Sequence, residues 1–141
     1  MSLRAFVRRR TGLPLGAPGS LRAMLARSLT APSFHAFWQY WNPVWGYYLG
    51  TRVYQPLKTW LPAAAARVVT FVVSGALHDL AVMLVKGYWP MFFTPWFTLM
   101  GFLTALSAHY RLHYPRFLPA PIANLALLST SFATTSLLLA L

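Results

Sequence analysis

One segment constrains this chain more than any other. Ala63 to Val85 is a membrane-length apolar stretch, yet it carries His78 and Asp79 deep inside it. As a helix it would run about 34 Å, enough to cross a lipid bilayer with some tilt. Asp79 is also the single acidic residue of the chain. A charged side chain at the centre of a membrane helix costs about 2.5–3.5 kcal/mol on insertion scales, so such a residue marks a functional site and implies a partner. Asp79 is expected to neutralise Arg67, Lys86 or a cation of a neighbouring subunit, because lone buried charges seek partners.

Composition extends that constraint to the whole molecule. Only 9% of residues are charged and 57% are hydrophobic, against roughly a quarter charged in a soluble domain. Too little polar surface exists to solubilise a globule, so the sequence predicts an all-α integral membrane protein. The absence of cysteine excludes a disulfide framework and a thiolate metal site. The net charge of +11 would suit nucleic acid, but the arginines flank apolar spans. Anionic lipid headgroups are therefore the expected counter-charge, with no nucleic-acid partner. The Arg8-Arg9-Arg10 run is followed by Thr11-Gly12-Leu13-Pro14, too broken for a signal core, so neither a cleavable leader nor twin-arginine export is expected.

Three regions follow. Residues 1–20 are basic and rich in Gly and Pro, and are expected to be poorly ordered. Residues 21–62 hold an amphipathic helix over Leu21–Leu29, lying on the membrane surface, and then an aromatic segment. Ser33 should cap a helix beginning at Phe34, and Asn42-Pro43 should break it, because a residue before Pro avoids the α region. Residues 63–141 hold about three transmembrane helices: Ala63–Val85, Trp89–Ala108 and Pro121–Leu141, the last introduced by Pro119 and Pro121. Its Ser129, Thr130, Ser131, Thr134, Thr135 and Ser136 suit close helix–helix contact. If Phe34–Gly50 is interfacial or re-entrant, eleven of the 12 Lys and Arg residues share one face and Lys86 alone lies on the other. The positive-inside rule favours that arrangement, with the N-terminus cytoplasmic, in what is expected to be a bacterial inner membrane.

At 100° per residue, Arg67, Ser74 and His78 fall within about 40° of one another on the first span, with Thr70 at the edge. That seam must face protein or a water-filled path. Asp79 points about 100° away from His78, so it does not orient that imidazole through the same helix. A neutral imidazole in a low-dielectric site can take a proton from an alcohol. It can equally serve as a structural hydrogen-bonding group.

The wider pattern is more specific. Ser33-Phe34-His35-Ala36-Phe37-Trp38-Gln39-Tyr40-Trp41-Asn42, then Thr51-Arg52-Val53-Tyr54-Gln55-Pro56-Leu57-Lys58, then Val72-Val73-Ser74-Gly75-Ala76-Leu77-His78-Asp79-Leu80 resembles the wax-synthase-like branch of the membrane-bound O-acyltransferases, in order and spacing over residues 33–80. The resemblance implies transfer of an acyl group from a thioester donor, acyl-CoA, to an alcohol, with acyl-CoA a co-substrate and no bound cofactor or metal. It makes His78 the general base and Asn42 the group that positions substrate or the oxyanion. Trp38 and Trp41 would shape the entrance, and Ser74 belongs to the same helix motif; Arg67, on the polar seam, joins them as a substrate contact. Asp79 stands where the family has Glu. Members of the family are several times longer and enclose a tunnel, so this chain would take walls from other membrane subunits or from a homo-oligomer.

The alternative is a non-catalytic accessory subunit of a larger membrane complex, one able to carry a haem or pigment on His78 or His35. His109 and His113, spaced for metal binding on a helix, lack a third ligand nearby and are read as part of an interfacial anchor with Tyr110 and Tyr114.

Overall fold

Ser2 and Gly12 bracket the first helix. In the computed structural model, which describes every residue from Met1 to Leu141, the Ser2 hydroxyl accepts from the Ala5 N–H at 3.3 Å. Gly12 closes the helix in the left-handed conformation at φ 80°. Between them α1 (Leu3–Thr11) carries Arg8, Arg9 and Arg10 in its last turn, where cations complement the helix dipole. Residues 1–20 are thus ordered more than composition suggests: α1 buries Val7 and Thr11 and sets Phe6 edge-on to Tyr47 at 5.6 Å. A second helix, α2 (Ser20–Leu29), follows.

Ser33 caps α3 (Phe34–Tyr40) through the Ala36 N–H. The chain then breaks where Asn42-Pro43 demands it. Trp41 is extended, Asn42 is left-handed at φ 39°, and Pro43 opens α4 (Pro43–Leu49). Asn tolerates that backbone better than most residues, and its side-chain oxygen accepts from the Trp45 N–H at 3.3 Å. From α4 the chain runs through one π-helical turn, Gly50–Tyr54, into the short α5 (Gln55–Leu57).

The longest helices come last: α6 (Ala63–Lys86), α7 (Phe93–His109) and α8 (Ala120–Ala140). The fold contains helices and no strand. Two of the three expected spans, α6 and α8, are long and apolar enough to cross a membrane, with mean hydropathy of 2.0 and 1.5. The middle one falls short. With 17 residues, α7 runs about 26 Å, less than the roughly 30 Å hydrocarbon core. Pro90 and a left-handed Met91 at φ 48° delay its start to Phe93.

Glycine brings α6 and α7 together. A Cβ on Gly75 would lie 2.6 Å from the Phe93 carbonyl oxygen and 2.8 Å from the Thr94 Cα, so only glycine permits that approach. Gly101 packs in the same way on Phe71 and Val68. The hairpin is locked by Asp79, which is fully buried. One carboxylate oxygen accepts from the Phe92 and Phe93 N–H groups at 3.2 and 3.0 Å. The other accepts from the Thr94 N–H and hydroxyl at 2.8 and 2.6 Å. Asp79 therefore pairs with neither Arg67 nor Lys86. It caps the start of α7 from α6, supplying the negative charge that a helix N-terminus favours and satisfying its orphan donors.

A second clasp ties the start of α8 to the α2–α3 junction. Asn124, with no exposed surface, donates to the Leu29 and Ala31 carbonyls at 2.9 and 3.1 Å and accepts from the Tyr114 hydroxyl at 2.6 Å. Burial raises the pKa of that hydroxyl to about 12. Phe34, Phe37, Ala31 and Met100 form the core beside this clasp. Of the six hydroxyl residues expected to line a helix interface, only Ser131 and Thr135 are buried. The Thr130, Ser131, Thr135 and Ser136 hydroxyls all bond back to carbonyls of their own helix, and Ser131 alone of them also accepts from another helix, from the Trp96 indole at 3.1 Å.

Candidate functional site

The break at Asn42 folds the aromatic segment back against α6, and a cavity of about 380 Å³ opens between them. Sites for small molecules range over about 300–1,000 Å³. Every residue that the sequence marks as catalytic or substrate-binding lines this one cavity: Trp38, Trp41, Asn42, Arg67, Ser74 and His78. Thr70, at the edge of the polar seam, joins them. The helical spacing of Arg67, Ser74 and His78 explains why α6 aims all three at the same space.

His78 is half-buried among aromatic rings. Phe97 lies 4.8 Å from it centroid to centroid, Phe93 5.7 Å, and Trp45 stands edge-on at 6.1 Å. Its Nδ1 sits 2.7 Å from the Ser74 carbonyl oxygen one turn earlier. A carbonyl only accepts, so Nδ1 carries the proton and donates. Nε2 has no protein partner, and whenever the ring is neutral its lone pair lies there, as a base requires. Ser74 also works through its side chain. Its hydroxyl accepts from the Trp45 indole at 3.0 Å, pinning α4 to α6 beside the imidazole. Asn42 has spent its side-chain oxygen on the cap of α4, which leaves the amide N–H groups as its means of holding a substrate oxygen.

The other end of the cavity is built by α3 and α7, and here the sequence is less legible. His35 and Thr104 line it together with Gln39 and Tyr54. Arg10 donates to the Gln39 side-chain oxygen at 3.1 Å, and the Gln39 nitrogen lies 2.8 Å from His35 Nε2. Arginine is donor only, so the amide oxygen must face it and the amide nitrogen must donate to His35. The imidazole is therefore neutral, with its proton on Nδ1. Burial, then the charges of Arg67 and Arg10, hold His35 below the ordinary histidine value, in keeping with that state. The sequence offers His35 as a haem ligand, but Gln39 occupies its Nε2. Thr104 escapes a reading of the sequence; the hint is its spacing from Ser107 in the second half of α7, three residues that place both on the face toward α3, where Ser107 accepts from the His35 N–H at 3.3 Å.

His109 and His113 do not form the helical pair their spacing suggests, because α7 ends at His109. His113 Nδ1 turns to the Arg111 carbonyl at 2.8 Å, and no cluster of three or more metal-binding side chains exists. Compared with known proteins, the chain matches no family model. No curated protein and no solved structure matches it either.

Proposed function

We propose that this protein is embedded in a membrane and that its cavity transfers an acyl group from a thioester such as acyl-CoA to an alcohol, with His78 as general base. The observation that carries the reading is the His78 tautomer, held by the Ser74 carbonyl, with Nε2 available at a cavity wall. In the reaction the alcohol places its hydroxyl on His78 Nε2. The imidazole takes that proton as the alcohol oxygen bonds to the acyl carbonyl carbon. The tetrahedral intermediate then expels the thiolate, the carbon–sulfur bond breaks, and the proton passes from His78 to sulfur, leaving ester and thiol. The Asn42 amide donates to the carbonyl oxygen as negative charge gathers on it. Trp38 and Trp41 give the acyl chain an apolar wall, and Arg67 attracts a negatively charged portion of substrate.

The membrane setting rests on exposure. A core helix of a soluble protein is mostly buried, but only 17% and 22% of the apolar windows of α6 and α8 are buried inside the protein. Leu84, Val85, Ile122, Leu137 and Leu138 are all exposed, and such a surface calls for lipid. Arg4, Arg8, Arg9, Arg22 and Arg27 lie exposed on α1 and α2, and the single acidic side chain, Asp79, is bound to the start of α7. They suit anionic headgroups on the cytoplasmic side, in the orientation the positive-inside rule favours.

The test is thioester-dependent esterification of a long-chain alcohol by the purified protein in liposomes. Wild type should turn over, and His78→Ala should lose about a hundredfold or more, the usual worth of a general base. Equal rates for the two would remove the reading. A second reading is an accessory subunit that docks by α8, favoured by the exposed Leu125, Phe132 and Leu139 on that helix. A stoichiometric membrane partner in mild detergent, together with no turnover, would decide for it.

A further inference from the structure

Three residues that line the end of the cavity remote from His78 each carry a buried polar atom without any partner: His35 Nδ1, the Trp38 indole nitrogen and the Thr104 hydroxyl. The relay from Arg10 through Gln39 makes His35 Nδ1 an obligatory N–H donor, and the indole can only donate. Thr104 is almost wholly buried, at 1% exposure, and all three residues line the cavity. Buried donors left unpaired are rare in folded proteins and costly. Two fixed donors and a hydroxyl together ask for an oxygen that accepts.

Charge says which kind. Arg67 lines the same cavity and no acidic residue does. Gly101 packs on Val68 and Phe71, which brings the Arg67 turn of α6 to the Thr104 stretch of α7. This end lies apart from the imidazole: the His78 ring is level with Phe97, and Thr104 is a further two turns along α7, about 10 Å. The wall between is aromatic, with Trp38 edge-on to Phe71 at 5.1 Å.

We infer that His35, Trp38 and Thr104, with Arg67, form a binding site for the anionic oxygen head of a ligand whose apolar chain lies along the cavity toward His78. Carboxylates and phosphate monoesters share that chemistry. The site does not depend on the acyl-transfer reading, since it is measured by binding without turnover.

The experiment uses the full chain in nanodiscs of zwitterionic lipid, titrated with palmitate, hexadecyl phosphate and hexadecanol and followed by tryptophan fluorescence and calorimetry. At least one of the two anions should bind about tenfold or more tighter than the alcohol, the stronger of them naming the head group. Thr104→Val, nearly isosteric, should weaken that anion several-fold while leaving the melting temperature of the empty protein unchanged or higher; Trp38→Phe should weaken it several-fold as well, with some loss of packing on Phe34, Phe37 and Phe71. Alcohol binding equal to that of both anions, or no anion binding at all, would overturn the inference. So would variants that bind like wild type while melting lower, because a purely internal or water-filled role predicts that pattern. Should Trp38→Phe fail to fold, Thr104→Val decides alone.

Discussion

The α6–α7 hairpin and the α3 wall of the cavity treat buried polar groups in opposite ways. In the hairpin the buried charge is fully used: the Asp79 carboxylate takes four hydrogen bonds from the start of α7. Along the wall, His35 and Trp38 line the cavity and each carries a buried ring nitrogen with no partner. A satisfied charge in apolar surroundings is structural, however functional it looks in the sequence. Unsatisfied neutral groups beside a cavity are where a ligand is wanted. His78 stands between the two, one ring nitrogen satisfied by its own helix and the other open.

The contrast can be broken most severely at Asp79. Asp79→Ala leaves four donors at the start of α7 without an acceptor and should cost about 3–5 kcal/mol in chemical unfolding in mild detergent. A loss under about 1 kcal/mol would mean the cap is not what holds the hairpin. Asn124→Ala comes next, at about 2–3 kcal/mol, because it orphans the Tyr114 hydroxyl and two carbonyls at once. Gly75→Ala should cost about 1–3 kcal/mol by forcing α6 off the Phe93–Thr94 backbone; an unchanged midpoint would show the helices free to part. Against these, the wall substitution Thr104→Val should cost the empty protein almost nothing, and that difference in size is the comparison itself.

Smaller than any of the hairpin effects is that of pH on His35. Its native pKa lies below the ordinary value of 6.5, so the unfolded chain binds the proton more readily. The stability its neutral form contributes is complete above about 6.5 and is lost as pH falls from there through the lowered native value. Protonation also turns Nε2 into a second donor facing the Gln39 amide. Unfolding midpoints measured on either side of that range should show a decline that His35→Gln reduces; identical profiles would place the imidazole outside the relay.

Much of the backbone is legible in the sequence, and for local reasons. The Ser33 cap, the break at Asn42-Pro43 and the apolar runs of α6 and α8 depend on near neighbours alone. The Arg67–Ser74–His78 seam is legible too, because helical spacing settles which residues share a face. Partners distant in the chain are not. A pattern of side chains points Asp79 at a cation, yet its partners are backbone N–H groups at the start of α7, and backbone carries no signature in such a pattern. His35 looks like a ligand for iron, but the Arg10–Gln39 relay that sets its proton spans 29 residues of chain. The N-terminal helix is hidden because a run of arginine reads as solvated, while its anchors, Phe6 and Val7, are few.

The central claim is that the Ser74 carbonyl holds the His78 proton on Nδ1 and leaves Nε2 as a base at the cavity wall. Nitrogen NMR of a protein labelled at its histidine rings, assigned with His78→Gln and recorded above the histidine titration, tests it most directly. The account predicts a neutral His78 ring with a protonated Nδ1 and a bare Nε2 whose signal moves when a long-chain alcohol is added. A His78 protonated on Nε2 instead, or one indifferent to the alcohol, would contradict it.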